Sequence, residues 1–207
     1  PPFEHKKKEL ANLVQSFGSY AHQWESQFPQ CGGLCQSPIN IDTSEARNRE
    51  APCLSWYHYD DIHPQMDIIN NGHTGNKFNV QIRPTMEGGP LDGSYQLANV
   101  HSHWGDVDVA GAEHTIDEKK YAMEMHFHGI YYFSVQKMCS NWDGQLIYPA
   151  IFPLQLVQVP WRGHYYTYMG SLTTPQCNEN VRWIVFEQPL PIPNGFVSTY
   201  YKCYFLL

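Results

Sequence analysis

The sequence predicts a single, mostly β domain with short helices, and three observations carry that prediction. Short runs rich in β-branched and aromatic residues alternate with Pro, Gly and Asn along most of the chain. Only one stretch has the spacing of an amphipathic helix. No repeat, low-complexity linker or shift in composition divides the 207 residues, a length that all-β and mixed folds often span as one domain.

The helical stretch is 3–17, where Leu10, Leu13, Val14 and Phe17 share a face and Lys6–Lys8 form the solvated side. Strands are expected at 67–70 before an Asn-Asn-Gly turn, at 78–83 before Pro84, and at 95–103 before Trp104-Gly105. Further strands are expected at 121–133, 151–159 and 181–186, and a turn at 90–93 separates two of the runs.

Composition narrows the function classes. Apolar residues make up 42% of the chain and charged residues only 16%, which suits a soluble globular domain with a real core. A net charge of −7 disfavours phosphate backbones and anionic lipid, so nucleic acid is not an expected partner. No apolar run approaches the roughly 18 residues of a spanning helix, so no transmembrane segment is expected. Six cysteines and a start at Pro1-Pro2, with neither Met nor an apolar leader, point to an oxidising compartment and a processed or trimmed chain.

Eleven histidines are the unusual count, and their placement carries chemistry. In a strand, alternate residues share a face, so His101 and His103 can converge on one point. A second run carries Glu124, His126 and His128, again at alternate positions. Two such strands side by side offer three or four imidazoles and a carboxylate to one site, a donor set that suits zinc. A cupin would use a similar His-x-His, but its glutamate should follow within about five residues. Glu113 comes later than that, and the cupin pattern fits poorly.

Seven blocks then occur in one order: QSPINID at 36–42, NNGH at 70–73, GGPLDGSYQL at 88–97, HSHWG at 101–105, GAEHTIDEKKYAMEMH at 111–126, GSLTTPQC at 170–177 and VRWIVF at 181–186. In these blocks, and in the 22 residues between His103 and His126, the chain resembles the alpha-class carbonic anhydrases, most closely their secreted branch. The resemblance implies a single catalytic domain over 1–207, built on a twisted, mainly antiparallel sheet of about ten strands. It implies zinc as cofactor, carbon dioxide and bicarbonate as substrates, and reversible hydration of carbon dioxide by a zinc-bound hydroxide. It also implies an extracellular location.

Residue by residue, the resemblance assigns His101, His103 and His126 as zinc ligands, leaving His128 as the neighbour that strand alternation alone does not exclude. Glu124 falls in the place that fixes the His126 tautomer. Asn99 stands where the family usually has Gln and is one methylene shorter, which suggests a water-mediated contact with the His101 ring. Thr173 resembles the hydroxyl that orients the nucleophile, and Glu113 the carboxylate that takes its hydrogen bond. Leu172, Val181 and Trp183 match the apolar substrate wall, Thr174 its bicarbonate side. His73 matches the proton relay, with Tyr20, Asn71 and Asn79 ordering water beside it. Cys31 and Cys177 match a disulfide pair, and Cys35, Cys53, Cys139 and Cys203 have no assigned partner. Against the family pattern, Ser102 replaces a bulky aromatic, 127–169 is shortened, and a C-terminal segment that in relatives reaches the metal has no counterpart. The rival reading is a weak or inactive relative used as a binding or matrix protein, for example in biomineralisation. The three retained histidines argue for the enzyme.

Overall fold

The computed structural model describes residues 23–59, 61, 66–68, 83–105, 111–131, 146–148 and 164–189. They open with a short helix α1 (Trp24–Gln27) and a 3-10 turn (Pro29–Gly32), and continue almost entirely as strand and loop. The strands are β1 (Asn40–Ile41), β2 (Ser55–Tyr57), β3 (Met66–Ile68), β4 (Thr85–Glu87) and β5 (Tyr95–Trp104), followed by β6 (Thr115–Ile116), β7 (Met123–Tyr131), β8 (Leu146–Tyr148), β9 (Tyr165–Gly170) and β10 (Val181–Phe186).

The central unit is an antiparallel four-stranded sheet in the order β2-β4-β5-β7. Strands β3 and β8 pair antiparallel, as do β9 and β10, while the short β1 and β6 pair parallel. The mainly antiparallel, mostly β character expected from sequence is present. The longest sheet among the described residues has four strands, so these pairings do not by themselves assemble a continuous ten-stranded sheet. Among the described residues, no helix is long and apolar enough to cross a membrane.

Expected and observed elements agree best where the strands are long. β5 extends the expected 95–103 by one residue, and β10 matches 181–186. β7 starts two residues later than expected, because the Tyr121 carbonyl is taken by the Gly111 and Ala112 N–H groups of the preceding loop. The turn between β4 and β5 lies earlier than 90–93. Leu91 N–H donates to the Gly88 carbonyl at 3.0 Å, and Gly88 and Gly89 take φ of 82° and 57°. A Cβ at Gly88 would also run into the Cys53 carbonyl oxygen, so glycine there is needed twice over. The helix expected at 3–17, the strand at 151–159 and residues 78–82 lie outside the described residues.

One irregularity positions the site. Leu97 pairs with Gly129 and Asn99 with His128, so Ala98 is an extra residue in β5, a bulge. The bulge resets the alternation. Leu97 and Val100, three apart, both face the core, where they join Tyr59 with Trp56, Met86 and Phe127 packed against them. Asn99, His101 and His103 are thereby all turned to the opposite face.

The loop joining β9 to β10 is tied down at several points. Leu172 N–H donates to the Asn178 carbonyl at 3.1 Å and Cys177 N–H to the Thr174 carbonyl at 2.8 Å. Ser37 and Ser171 exchange bonds, Ser37 N–H to Ser171 Oγ at 2.9 Å and Ser171 N–H to Ser37 Oγ at 3.0 Å. The Cys31–Cys177 disulfide, closing a sequence separation of 146 residues, fixes the same loop to the 3-10 turn. Closing so long a loop restricts the unfolded chain by up to about 5 kcal/mol in the chain-entropy model. The Cys31→Ser, Cys177→Ser double variant is expected to melt roughly 5–15 °C lower than the parent by differential scanning calorimetry. An unchanged melting temperature would mean the bridge adds nothing to the contacts already holding the loop.

Candidate metal centre

The register of β5 and β7 sets three cross-strand pairs on one face: Asn99 with His128, His101 with His126, and His103 with Glu124. Directly opposed residues of an antiparallel pair have Cβ atoms about 5 Å apart, so these six side chains form a ladder in mutual reach. His101, His103 and His126 crowd at its middle. Their ring centroids lie 5.2 Å (His101–His103), 4.9 Å (His101–His126) and 4.6 Å (His103–His126) apart. One nitrogen from each lies within 4.8 Å of the others.

Hydrogen bonds on the outer edges of the rings fix which nitrogen is which. His126 Nε2–H donates to Glu124 Oε1 at 2.6 Å, which leaves Nδ1 as the lone-pair nitrogen. His101 Nδ1–H donates to Asn99 Oδ1 at 2.9 Å, which leaves Nε2 bare. This contact is direct, so the water expected between Asn99 and the ring is not needed. Residues i and i+2 of one strand already stand side by side, and the shorter amide reaches. His101 Nε2 and His126 Nδ1 thus meet lone pair to lone pair at 3.1 Å. That contact is repulsive alone and favourable around a shared cation. His103 Nε2 is buried with no hydrogen-bond partner among the described residues, a third bare donor at the same spot. The residues present fit a metal ion held by three imidazoles.

Glu124 anchors the arrangement. Its Oε2 accepts the N–H groups of Glu113 and His114 at 2.9 and 2.8 Å. Its Oε1 accepts His126 Nε2–H at 2.6 Å and His114 Nδ1–H at 2.7 Å. Burial alone would raise its pKa, but the hydrogen bonds from His114 and His126 hold it well below the ordinary carboxylate range. With its Nδ1 proton committed, His114 accepts at Nε2 from the Tyr168 hydroxyl at 2.6 Å. Burial pushes the Tyr168 phenol up to about 12, so it stays a donor. Tyr168 in turn meets the Ser37 hydroxyl at 2.9 Å. A second group with metal-ligand spacing, His114, Glu124 and His126, is therefore a closed hydrogen-bond knot whose atoms are already used.

Of the remaining assigned residues, Glu113, Thr173 and Trp183 lie against this core or against one another. Glu113 Oε1 lies 3.4 Å from His103 Nδ1 and Oε2 3.8 Å from His126 Nε2. Burial raises the Glu113 pKa, while His126 and the Thr173 hydroxyl, interacting with the carboxyl, pull it back down. Trp183 packs its ring 4.9 Å from His126 and 4.7 Å from His114, and its Nε1–H donates to the Ser171 carbonyl at 3.1 Å. Leu172, Thr173 and Thr174 are half-buried in the β9–β10 loop, and Val181 opens β10 opposite Gly170. Tyr20, Asn71, His73 and Asn79 lie outside the described residues, as do Cys139 and Cys203. Cys35 and Cys53 are free and exposed. His114, Tyr168 and Ser37 escaped the sequence reading. Only the position of His114 beside Glu113, inside a block already singled out, could have flagged one of them.

The two half-buried imidazoles set a pH dependence. Burial, then the neighbouring histidines, lower His101 to about 3 and His103 to about 4. Their folded values lie below the unfolded value near 6.5, so the unfolded chain binds more protons as the solution is acidified. The stability they allow is complete above about pH 6.5 and is lost as the pH falls toward their folded values of about 4 and about 3. Denaturant titrations of the metal-free chain should show lower stability at pH 5 than at pH 7.5, by up to about 2 kcal/mol per imidazole. A flat profile would mean that both rings titrate in the fold as they do in the unfolded chain.

The family model for eukaryotic-type carbonic anhydrase matches residues 19–152 and 134–205. Carbonic anhydrase 6 of Mus musculus is 32% identical over 216 residues, covering 86% of this chain and 67% of the relative. Carbonic anhydrase 6 of Homo sapiens is 30% identical, covering 78% of this chain and 64% of the relative. The Bos taurus protein of that name is also 30% identical, covering 78% and 62%. The chain thus spans somewhat under two thirds of the length of the human and bovine relatives.

Proposed function

The chain belongs to the eukaryotic-type carbonic anhydrase family, and we propose that it is a zinc enzyme that interconverts carbon dioxide and bicarbonate, working as one catalytic domain outside the cell. The observation that carries this reading is the lone-pair contact of His101 Nε2 with His126 Nδ1 beside the bare His103 Nε2. His101, His103 and His126 hold the metal. Zinc bound there supplies the Lewis acidity that makes water a nucleophile near neutral pH.

The chain's own groups do the rest. Asn99 and Glu124 hold two of the rings with their bare nitrogens inward, so no reorientation is needed on metal binding. Thr173, giving its hydrogen to Glu113, can only accept from the attacking water, which turns that water's lone pair toward carbon. Leu172, Val181 and Trp183 form a dry wall suited to an uncharged, donor-free substrate, with Thr174 at the bicarbonate side. His73 is assigned to carry the released proton to buffer. The Cys31–Cys177 disulfide supports the extracellular location, since such bonds persist in oxidising compartments.

Metal analysis combined with stopped-flow carbon dioxide hydration tests the proposal. One zinc per chain is expected, and His101→Ala or His126→Ala should lose both zinc and activity. A fully active His126→Ala variant would overturn the ligand set. Thr173→Ala and Glu113→Ala are expected to keep zinc and lower kcat/KM by roughly 10- to 1,000-fold, because orientation is lost and the metal is not. Parent-like rates in both variants would remove the orienting pair from the mechanism.

A further inference from the structure

His128 takes no part in the chemistry described above, although it stands on the same face as the metal centre, two residues beyond His126 and directly opposite Asn99. Its side chain is exposed on that face, and its Nδ1 lies 3.2 Å from Asn99 Nδ2. The direction of that bond follows from its neighbour. His101 must keep Nε2 bare to serve the metal, so its proton sits on Nδ1 and is given to Asn99 Oδ1. The oxygen end of the amide is therefore turned to His101 and the NH2 end to His128. Asn99 donates, His128 Nδ1 accepts, and the single proton of the neutral His128 ring is left on Nε2. Among the described residues, no hydrogen bond uses that Nε2–H.

The rest of the ladder offers mostly acceptors, the Glu124 carboxylate and the bare nitrogens of three imidazoles, with the Glu113 carboxylate beside them. A fixed N–H donor at its open end is the exception. A neutral carbon dioxide molecule gains little from such a donor, but an oxyanion does, since hydrogen bonds to a charged acceptor are about twice as strong as neutral ones.

We propose that His128 is a substrate-binding residue whose Nε2–H donates to an oxygen of a small monoanionic oxyanion, bicarbonate or a simple carboxylate, held at the metal centre, with Asn99 relaying the tautomer from His101. The inference rests on the metal-centre reading above and extends it from the ligands to the anion. It also explains why an amide fits position 99. A residue that only accepted would leave the His128 proton on the wrong nitrogen.

The test uses the full chain loaded with cobalt in place of zinc, its visible spectrum titrated separately with bicarbonate and with acetate. His128→Val is expected to weaken both anions about 5- to 30-fold, while the cobalt affinity from chelator competition stays within about threefold. His128→Gln, which restores an N–H donor, should bind both anions within about threefold of the parent. Long-range proton–nitrogen NMR of the zinc-loaded parent should show the Nε2–H tautomer at His128. Unchanged anion affinity in His128→Val would overturn the proposal, as would His128→Gln binding as weakly as His128→Val, which would make the ring a filler. Loss of cobalt in His128→Val, or an Nδ1–H tautomer, would overturn it too. Stopped-flow hydration separates this inference from the function it builds on. A parent chain that binds metal and anions through His128 but does not hydrate carbon dioxide refutes the enzyme reading alone, and one that hydrates it with a dispensable His128 refutes this inference alone. A parent that takes up no metal defeats both.

Discussion

The register between β5 and β7 decides where each side chain of the metal centre stands. Strand side chains alternate with period two, so a slip of one residue would carry His101 and His103 to the core face and turn Val100 out into the site. The buried contacts of Leu97, Val100 and Phe127 resist that slip from below. The bulge at Ala98 is what makes the two demands compatible. Without it, strict alternation would place Leu97, which is almost fully buried, on the same face as Asn99 and His101. The apolar core and the polar ladder are therefore specified together by one irregular residue.

On top of that register, one carboxylate gathers the polar groups. Glu124 accepts from two imidazoles and two backbone N–H groups, and each of those donors is largely removed from water. A buried donor left without a partner costs about 1–3 kcal/mol, so the four bonds reinforce one another and leave a single arrangement of His114 and His126. The knot continues through Tyr168 to Ser37 and the β9–β10 loop. Loop position and ligand tautomer are in this way linked through hydrogen bonds with no free member.

How much of this was legible in the sequence depended on the range of the signal. The long strands β5, β7 and β10 and the alternation that brings the histidines together are local patterns, and they were readable. Strands of two or three residues, such as β1, β4 and β6, carry no periodicity of their own and exist because a neighbour supplies their hydrogen bonds. β9, with three tyrosines in six residues, was missed although it pairs along its whole length with β10. The turn after β4 lies two residues before the one that Pro90 suggests, because the φ angles of Gly88 and Gly89 make the bend. The bulge could not be foreseen, since the run from Leu97 to His103 reads as unbroken strand. The roles of His114 and Tyr168 arise from contacts between separate segments, the loop before β6 with β7 and β9, and leave no local pattern.

The substitution at position 99 carries the furthest consequence of the ladder. A shorter amide sits flat between its two cross-strand and same-strand neighbours, with its oxygen on His101 and its nitrogen on His128. Each end of an amide has a fixed polarity, so the state of one ring dictates that of the other across about one residue pair of sheet. A bare Nε2 on His101 thereby also sets which nitrogen of His128 carries the proton. The same sheet geometry that brings three imidazoles together thus links the candidate metal centre to the next cross-strand pair along the sheet.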